Sequence, residues 1–183
     1  MIIKLESAFK KIERQRKRLI EELNQYNKSQ LDFHPKAGSW NMKQVCLHLI
    51  VAEENSLAYM RKKINALEEL DNAGLWSKLR LAFLNSVVST KIKFKAPKIV
   101  QLKEGDADNL DYEQLKERWD KVRRELHNFA DKLDHKASEK LLFKHPFAGR
   151  FNIYQLFSFV EKHVQHHFYQ IDRIKNSPGF PQK

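Results

Sequence analysis

Three histidines have the residue type and spacing of a metal site. His163 and His167 are four residues apart within the segment from Ile153 to Lys175, where apolar residues recur with a helical period. Side chains four residues apart lie one above the other on a helix, so both imidazoles could reach one ion at about 2.1 Å. Both fall in the apolar stripe, where an imidazole costs free energy unless its ring nitrogens are satisfied. The pair predicts a two-histidine metal clamp, with two hydrogen-bonded core histidines as the alternative.

His48 supplies a third candidate ligand. It lies in the apolar run from Val45 to Ala52, whose period directs the ring toward a buried helix face. Catalytic zinc sites commonly have three protein ligands and one open position, and His48, His163 and His167 would complete such a set. Cys46 points to another side of the helix, which favours a small buried hydrophobe over a fourth ligand. A single satisfied core histidine is the alternative for His48.

The remaining histidines are not predicted to bind the ion. His166 lies about 100° around the helix from His167, which predicts a position at the surface or behind the ligands. His145 stands in a His-Pro-Phe-Ala-Gly segment and could line the mouth of the site. The other three form no cluster in the sequence and are assigned no role: His34, His127 and His135.

Four long helices are predicted to position these side chains, because apolar residues recur at steps of three and four. Their predicted bounds are residues 3–28, 42–70, 112–133 and 153–175. Only Arg16 interrupts the apolar stripe of the first helix. Asn41 with Gln44 has the spacing of a capping box at the start of the second helix. Asn152 with Gln155 repeats this signature at the start of the fourth.

The segments between these helices complete the predicted architecture. Residues 76–91 are periodic enough for a further, shorter helix. Residues 93–110 contain Pro, Gly and several Asp and Asn, which predicts a long connection, and residues 134–150 are predicted to be a loop. The pattern predicts an all-α fold, a four-helix bundle with a long crossover between its second and third helices. Bundles of this kind often hold metal sites between facing helices.

Size and composition favour one helical domain over residues 1–183. The chain has 5 Gly and 5 Pro, too few for a fold built on strands and tight turns. Its single cysteine, Cys46, excludes an intrachain disulfide, and the N-terminal segment is densely charged, which predicts a cytoplasmic protein. The longest nearly apolar run, Val45–Ala52, is too short to cross a bilayer, so no membrane partner is predicted.

The chain is basic, with 34 Lys and Arg against 23 Asp and Glu and a formal net charge of +11. In the first helix the basic residues are interleaved with glutamates, as on a solvated helix face. No helix-turn-helix signal, RNA-binding aromatic motif or zinc-finger spacing accompanies the charge. The charge alone therefore does not predict a nucleic-acid partner, and the partner expected from the metal site is a small-molecule substrate.

Two parts of the chain carry a resemblance to a known family. Residues 40–49 read Trp-Asn-Met-Lys-Gln-Val-Cys-Leu-His-Leu, with Glu53 shortly after. Residues 145–149 read His-Pro-Phe-Ala-Gly, and residues 163–167 read His-Val-Gln-His-His, followed by Gln170. In order and spacing, over nearly the whole chain, these segments resemble the DinB-like proteins, which include the YfiT-type metal-dependent hydrolases.

The resemblance implies a ligand set and an assembly. By its motif positions, His48, His163 and His167 would bind a divalent ion, with zinc or nickel as the expected metal. The family's bundles are frequently homodimers, so the resemblance implies a homodimer here. Relatives include transferases and isomerases that use a low-molecular-weight thiol as cosubstrate.

The chemistry expected from such a site leaves several functions open. Three neutral imidazoles leave the ion its double charge and free coordination positions, which would acidify a bound water and deprotonate a bound thiol. This predicts either hydrolysis or transfer from a cosubstrate thiolate to an electrophile, and no carboxylate can be named as a general base. The alternative is a non-enzymatic, stress-related binding or dimerisation module with a structural metal or none. A structural zinc would have four protein ligands.

Overall fold

The computed structural model describes residues 2–90, 102, 106–107 and 110–182. Within these ranges the chain forms seven α-helices, one 3-10 helix and two short strands. In chain order they are α1 (Ile3–Leu23), α2 (Lys28–Leu31), α3 (Met42–Lys63), the 3-10 helix (Ile64–Glu69), α4 (Leu75–Val88), α5 (Tyr112–Asp131), α6 (His135–Glu139), β1 (Phe143–His145), β2 (Gly149–Phe151) and α7 (Ile153–Lys175). None of these helices combines the length and apolar character that a membrane span requires.

The four long helices, α1, α3, α5 and α7, form a closed ring of neighbours. α1 packs against α7 and α5, and α3 packs against the same two helices. Their apolar faces meet in one core, to which each contributes a fully buried side chain such as Leu19, Met60, Trp119 and Phe157. The chain is therefore an all-α four-helix bundle, as the periodicity of its apolar residues predicts.

Both predicted capping boxes are confirmed. At the start of α3, the Asn41 side chain accepts a hydrogen bond from the Gln44 backbone N–H at 2.8 Å, and the Gln44 side chain accepts one from Asn41 at 3.0 Å. Asn152 and Gln155 make the same pair at the start of α7, at 2.9 and 3.0 Å. An asparagine cap of this kind stabilises a helix by about 1 kcal/mol. The first turns of both histidine-bearing helices are thus held in place.

Two of the long helices end at least five residues before their predicted bounds. α1 ends at Leu23, because Asn27 and Gln30 form a capping box of their own that starts α2. α3 ends at Lys63 and continues as the 3-10 helix, in which Ala66 has the non-helical angles φ −117° and ψ 38°. Propensity and period alone do not reveal such changes of helix type.

The prediction of a loop over residues 134–150 is wrong. Asp134 caps α6, and β1 and β2 form an antiparallel hairpin in which Phe143 pairs with Phe151. Both phenylalanines are buried, so the hairpin is held against the core by its aromatic side chains. Gly149 has φ +80°, a conformation that glycine adopts without steric cost. Strands of three residues are too short for an alternation of apolar and polar residues to be recognised in the sequence.

The segment after the 3-10 helix is partly confirmed. The predicted shorter helix is α4, which packs along α7 and contacts β2. The long connection predicted over residues 93–110 lies outside the described residues, apart from residues 102, 106–107 and 110.

Candidate metal centre

The structure brings His48, His163 and His167 together into one group, the histidine cluster. The Nε2 atom of His163 lies 3.3 Å from Nε2 of His48 and 3.1 Å from Nε2 of His167. One nitrogen from each ring lies within 4.8 Å of the other two. Among the described residues, this is the one group of three or more His, Cys, Asp or Glu side chains whose donor atoms could share an ion.

Aromatic neighbours hold two of these rings in place. His48 lies on α3, two turns after the Asn41 cap, with its ring centroid 5.0 Å from that of Trp40. Phe159 stands one turn before His163 on α7, and the two rings are stacked, with centroids 5.1 Å apart and an interplanar angle of 16°. Because these contacts restrict ring rotation, the donor atoms stay aimed at a common centre.

Gln170 orients the third ring. The Nδ1 atom of His167 lies 2.8 Å from Oε1 of Gln170, one turn later on α7. With Nδ1–H donating to this carbonyl oxygen, Nε2 of His167 carries a lone pair directed at the cluster. This is the tautomer that a metal ligand requires, so Nε2 of His167 is able to bind a cation.

The distances fit a metal ion. Two nitrogen ligands at about 2.1 Å from an ion in tetrahedral arrangement are separated by about 3.4 Å. The separations of 3.3 Å for His48 with His163, and 3.1 Å for His163 with His167, are close to this value. The residues present could thus hold one ion without a large movement of either helix.

The environment of the cluster keeps the two α7 imidazoles neutral. Burial, followed by the nearby His48 ring, holds the pKa of His163 well below its ordinary value. Burial, followed by the His163 ring, holds the pKa of His167 well below its ordinary value. Metal binding requires the neutral ring, so burial keeps these ring nitrogens available as ligands by disfavouring their protonation.

Cys46 is confirmed as a buried core residue, and it does not belong to the group of converging donor atoms. Its side chain is fully buried, and burial raises the pKa of the thiol to about 12. The donor set offered by the described residues is therefore three imidazoles, which would leave coordination positions open.

His145 lines the site, as predicted, and its tautomer follows from its contacts. Its Nδ1 atom accepts hydrogen bonds from the backbone N–H groups of Phe147, at 3.3 Å, and Ala148, at 3.1 Å. The proton of the neutral ring is therefore on Nε2, where it can be donated. Burial lowers the pKa of His145 to about 4, which keeps the ring neutral near pH 7.

Two other histidines also lie near the site. His166 is buried and not at the surface, which confirms the second of its two predicted positions, and its Nδ1 atom lies 2.9 Å from the backbone oxygen of Val88 at the end of α4. It lies behind the cluster, with its ring centroid 5.3 Å from that of His167. His34, which was assigned no role, lines the cavity described below and lies 3.1 Å from the Asn41 side chain. Its separation from the cluster in the sequence gives no sign of this proximity.

The histidine cluster opens into a large cavity. Its volume is about 1440 Å³, whereas small-molecule pockets commonly measure roughly 300–1,000 Å³. α3, α4, α7 and the hairpin all contribute to its walls. Its aromatic lining includes Trp40, Trp76, Phe83, Phe147 and Phe159. No Asp or Glu is found among the described residues that line it.

Comparison with known proteins identifies the family. The family model of the DinB superfamily matches residues 11–171, which include His48, His163 and His167. No curated protein and no solved structure matches the chain significantly.

Proposed function

We propose that this chain, which belongs to the DinB superfamily, binds one divalent ion at His48, His163 and His167 and uses it to activate a nucleophile against a small molecule. The observation that carries the proposal is the convergence of three Nε2 atoms beside an open cavity. Zinc and nickel are the proposed metals, because imidazole nitrogen suits both.

The ion would supply its charge and its open positions, which lower the pKa of a bound water or thiol. The chain supplies the rest. Gln170 fixes the tautomer of His167, and Phe159 limits rotation of the His163 ring. His145 offers an Nε2–H donor in the same cavity, suited to hydrogen-bond an oxygen that gains negative charge during reaction.

Between the two reactions, thiol transfer to an electrophile is our first proposal. The cavity exceeds the usual size for one small ligand, which leaves room for a thiol cosubstrate and an electrophile together. Cys46 is buried and could not serve as the nucleophile, so the thiol would come from outside. Metal-dependent hydrolysis is the second proposal, and it would proceed without a carboxylate base from the described lining residues.

The non-enzymatic alternative fits the site less well. A structural zinc is normally closed by four protein ligands, and the described cluster offers three, beside a cavity. The homodimer implied by the family resemblance stays a prediction, and sedimentation velocity of the purified chain tests it.

Elemental analysis of protein purified without a histidine tag tests metal binding. The wild type is expected to retain about one zinc or nickel per chain, and a His48→Ala, His163→Ala, His167→Ala variant is expected to lose it. A His127→Ala, His135→Ala variant is the control, because these rings lie outside the cluster. Equal metal content in all three proteins would show that the histidine cluster is not the metal-binding site.

Turnover of electrophiles with and without small thiols tests the reaction. For a transferase, we expect a rate only when a thiol is present, together with disappearance of the free thiol. A rate that does not depend on thiol would support hydrolysis instead. The cluster variant is the blank in both cases, and unchanged turnover in that variant would exclude metal-dependent catalysis.

A further inference from the structure

One wall of the cavity is apolar and exposed. On α4, Trp76 is 75% exposed, Leu79 51% and Phe83 73%, and Phe147 at the tip of the hairpin is 76% exposed. These four residues form what we name the apolar wall, and all of them line the cavity that contains the histidine cluster. Large exposed apolar patches are uncommon unless a ligand or partner covers them. The apolar wall is therefore suited to contact the apolar part of a bound molecule.

Basic side chains surround the same cavity. Lys36, Arg80, Lys144 and Arg173 line it, with no Asp or Glu among the described lining residues. The Arg80 guanidinium lies over the hairpin beside Gly149. The Cζ atom of Arg80 would be 3.5 Å from a Cβ atom if one were added to this glycine. Within the described residues, neither Arg80 nor Lys144 forms an ion pair with a carboxylate. Cations in a partly enclosed cavity raise the local concentration of anions.

We infer that the substrate of this cavity is an amphipathic anion. Its apolar body lies against the apolar wall, and its carboxylate, sulfonate or phosphate group faces the basic side chains. That the bound anion is a substrate rests on the proposed function, whereas its binding depends only on the cavity. A second copy of the chain explains the wall less well, because the apolar side chains line the same cavity as the cations and the histidine cluster.

Calorimetric titration with three ligands of one chain length tests the charge preference. Decanoate, decanamide and decylammonium share an apolar body and differ in head-group charge. The full chain is titrated after chelator treatment and again after zinc loading. We expect decanoate to bind both forms and to bind more tightly than the other two. Equal affinity for the three ligands would overturn the inference.

Chain length tests the apolar part. Octanoate is expected to bind more weakly than decanoate, by up to about fourfold for each methylene that no longer contacts the apolar wall. Phe83→Ala is expected to weaken both fatty acids. If octanoate and decanoate bind equally, the wall does not contact the ligand.

Charge variants locate the anion. Arg80→Gln and Lys144→Gln are each expected to weaken decanoate binding by about two- to fivefold and to leave decanamide unchanged. Lys78→Gln is the matched control, because Lys78 is an exposed cation on α4 that does not line the cavity. An equal loss in this control would mean that net charge alone attracts the ligand, and the inference would fail.

The inference and the proposed function can fail separately. Decanoate binding by chelator-treated protein does not require the ion, so its absence would leave metal binding by the histidine cluster untouched. Conversely, a finding that the histidine cluster binds no metal would not change the decanoate affinity expected for chelator-treated protein. A stable dimer that Phe83→Ser dissociates, with decanoate affinity unchanged, would assign the apolar wall to a second copy and overturn the inference.

Discussion

Neutralising Glu53 is expected to destabilise the bundle far more than neutralising its neighbour Glu54. Each glutamate of α3 forms a bidentate pair with an arginine of α5. Arg123 donates Nε and Nη2 to Glu53 at 2.6 and 2.6 Å, and Arg118 donates the same atoms to Glu54 at 2.7 and 2.6 Å. The two pairs thus have nearly the same geometry and join the same two helices.

The two pairs differ in burial, which sets the expected magnitude. The Arg123 and Glu53 side chains are 2% and 4% exposed, whereas those of Arg118 and Glu54 are 40% and 33% exposed. Removing one charge of a buried pair leaves the other desolvated, at a cost of about 3–5 kcal/mol. Without Glu53, Arg123 would keep only the Glu13 carboxylate, 4.0 Å from its Nη1 atom. An exposed pair is screened by water and contributes about 0.2–1 kcal/mol. We therefore expect Glu53→Gln to lower the free energy of unfolding several times more than Glu54→Gln.

Urea unfolding of the chelator-treated protein, followed by circular dichroism, measures both free energies. For a domain of this size, the thermal midpoint falls by about 2–4 °C per kcal/mol. In thermal unfolding, we therefore expect the midpoint temperature to fall by roughly 6–20 °C for Glu53→Gln and by at most about 4 °C for Glu54→Gln. Replacing both Glu53 and Arg123 with Met removes both charges and is expected to recover most of the loss. Equal, small effects of the two Gln substitutions would refute the argument from burial.

Three further predictions concern the site and its surroundings. Gln170→Ala is expected to weaken zinc binding by about 10- to 100-fold, because His167 loses its orienting hydrogen bond. Competition with a chelating dye measures the zinc affinity, and the control Gln165→Ala should bind zinc as the wild type does. His145 has a folded pKa of about 4, below its ordinary 6.5, so the unfolded chain is protonated first and stability falls as the pH drops from 6.5 to 4. Between pH 7 and pH 4, urea unfolding should show that the wild type loses about 3 kcal/mol of unfolding free energy that His145→Asn does not lose. An identical pH dependence of the two proteins would contradict this prediction. Cys46 should resist iodoacetamide in the native state and react once per chain in urea, since burial raises the pKa of its thiol to about 12; rapid native labelling would show that the core opens.

Much of the fold could be predicted because helices have a local signature. The capping boxes at Asn41 and Asn152 identify where α3 and α7 begin, and the apolar period extends α7 to Lys175. The convergence of His48 with the α7 histidines also follows from placing each ring on an inward helix face. Period and caps depend on neighbours in the sequence, so one sequence is enough to read them.

The rest depends on contacts that local patterns do not encode. The apolar period identifies the buried face of α1 and marks Arg16 only as an interruption, yet Arg16 is buried and paired with Glu13 and Asp120. The position of His34 beside the cavity requires knowledge of how the loop before α3 returns to the bundle. The hydrogen bond from His167 to Gln170 is local, but its functional meaning appears only once the third ring is in place.

The two parts of the site rest on parts of the fold with different packing. The histidine cluster stands on α3 and α7, which begin at capping boxes and pack against each other and against other long helices. The apolar wall stands mainly on α4, in which only Ser77 and Leu84 are buried. Elements with few buried contacts open at lower free energy than core elements. Substitutions on α4 can therefore change which molecules enter the cavity without moving the nitrogen atoms that would hold the ion, so reaction type and substrate choice are structurally separable in this bundle.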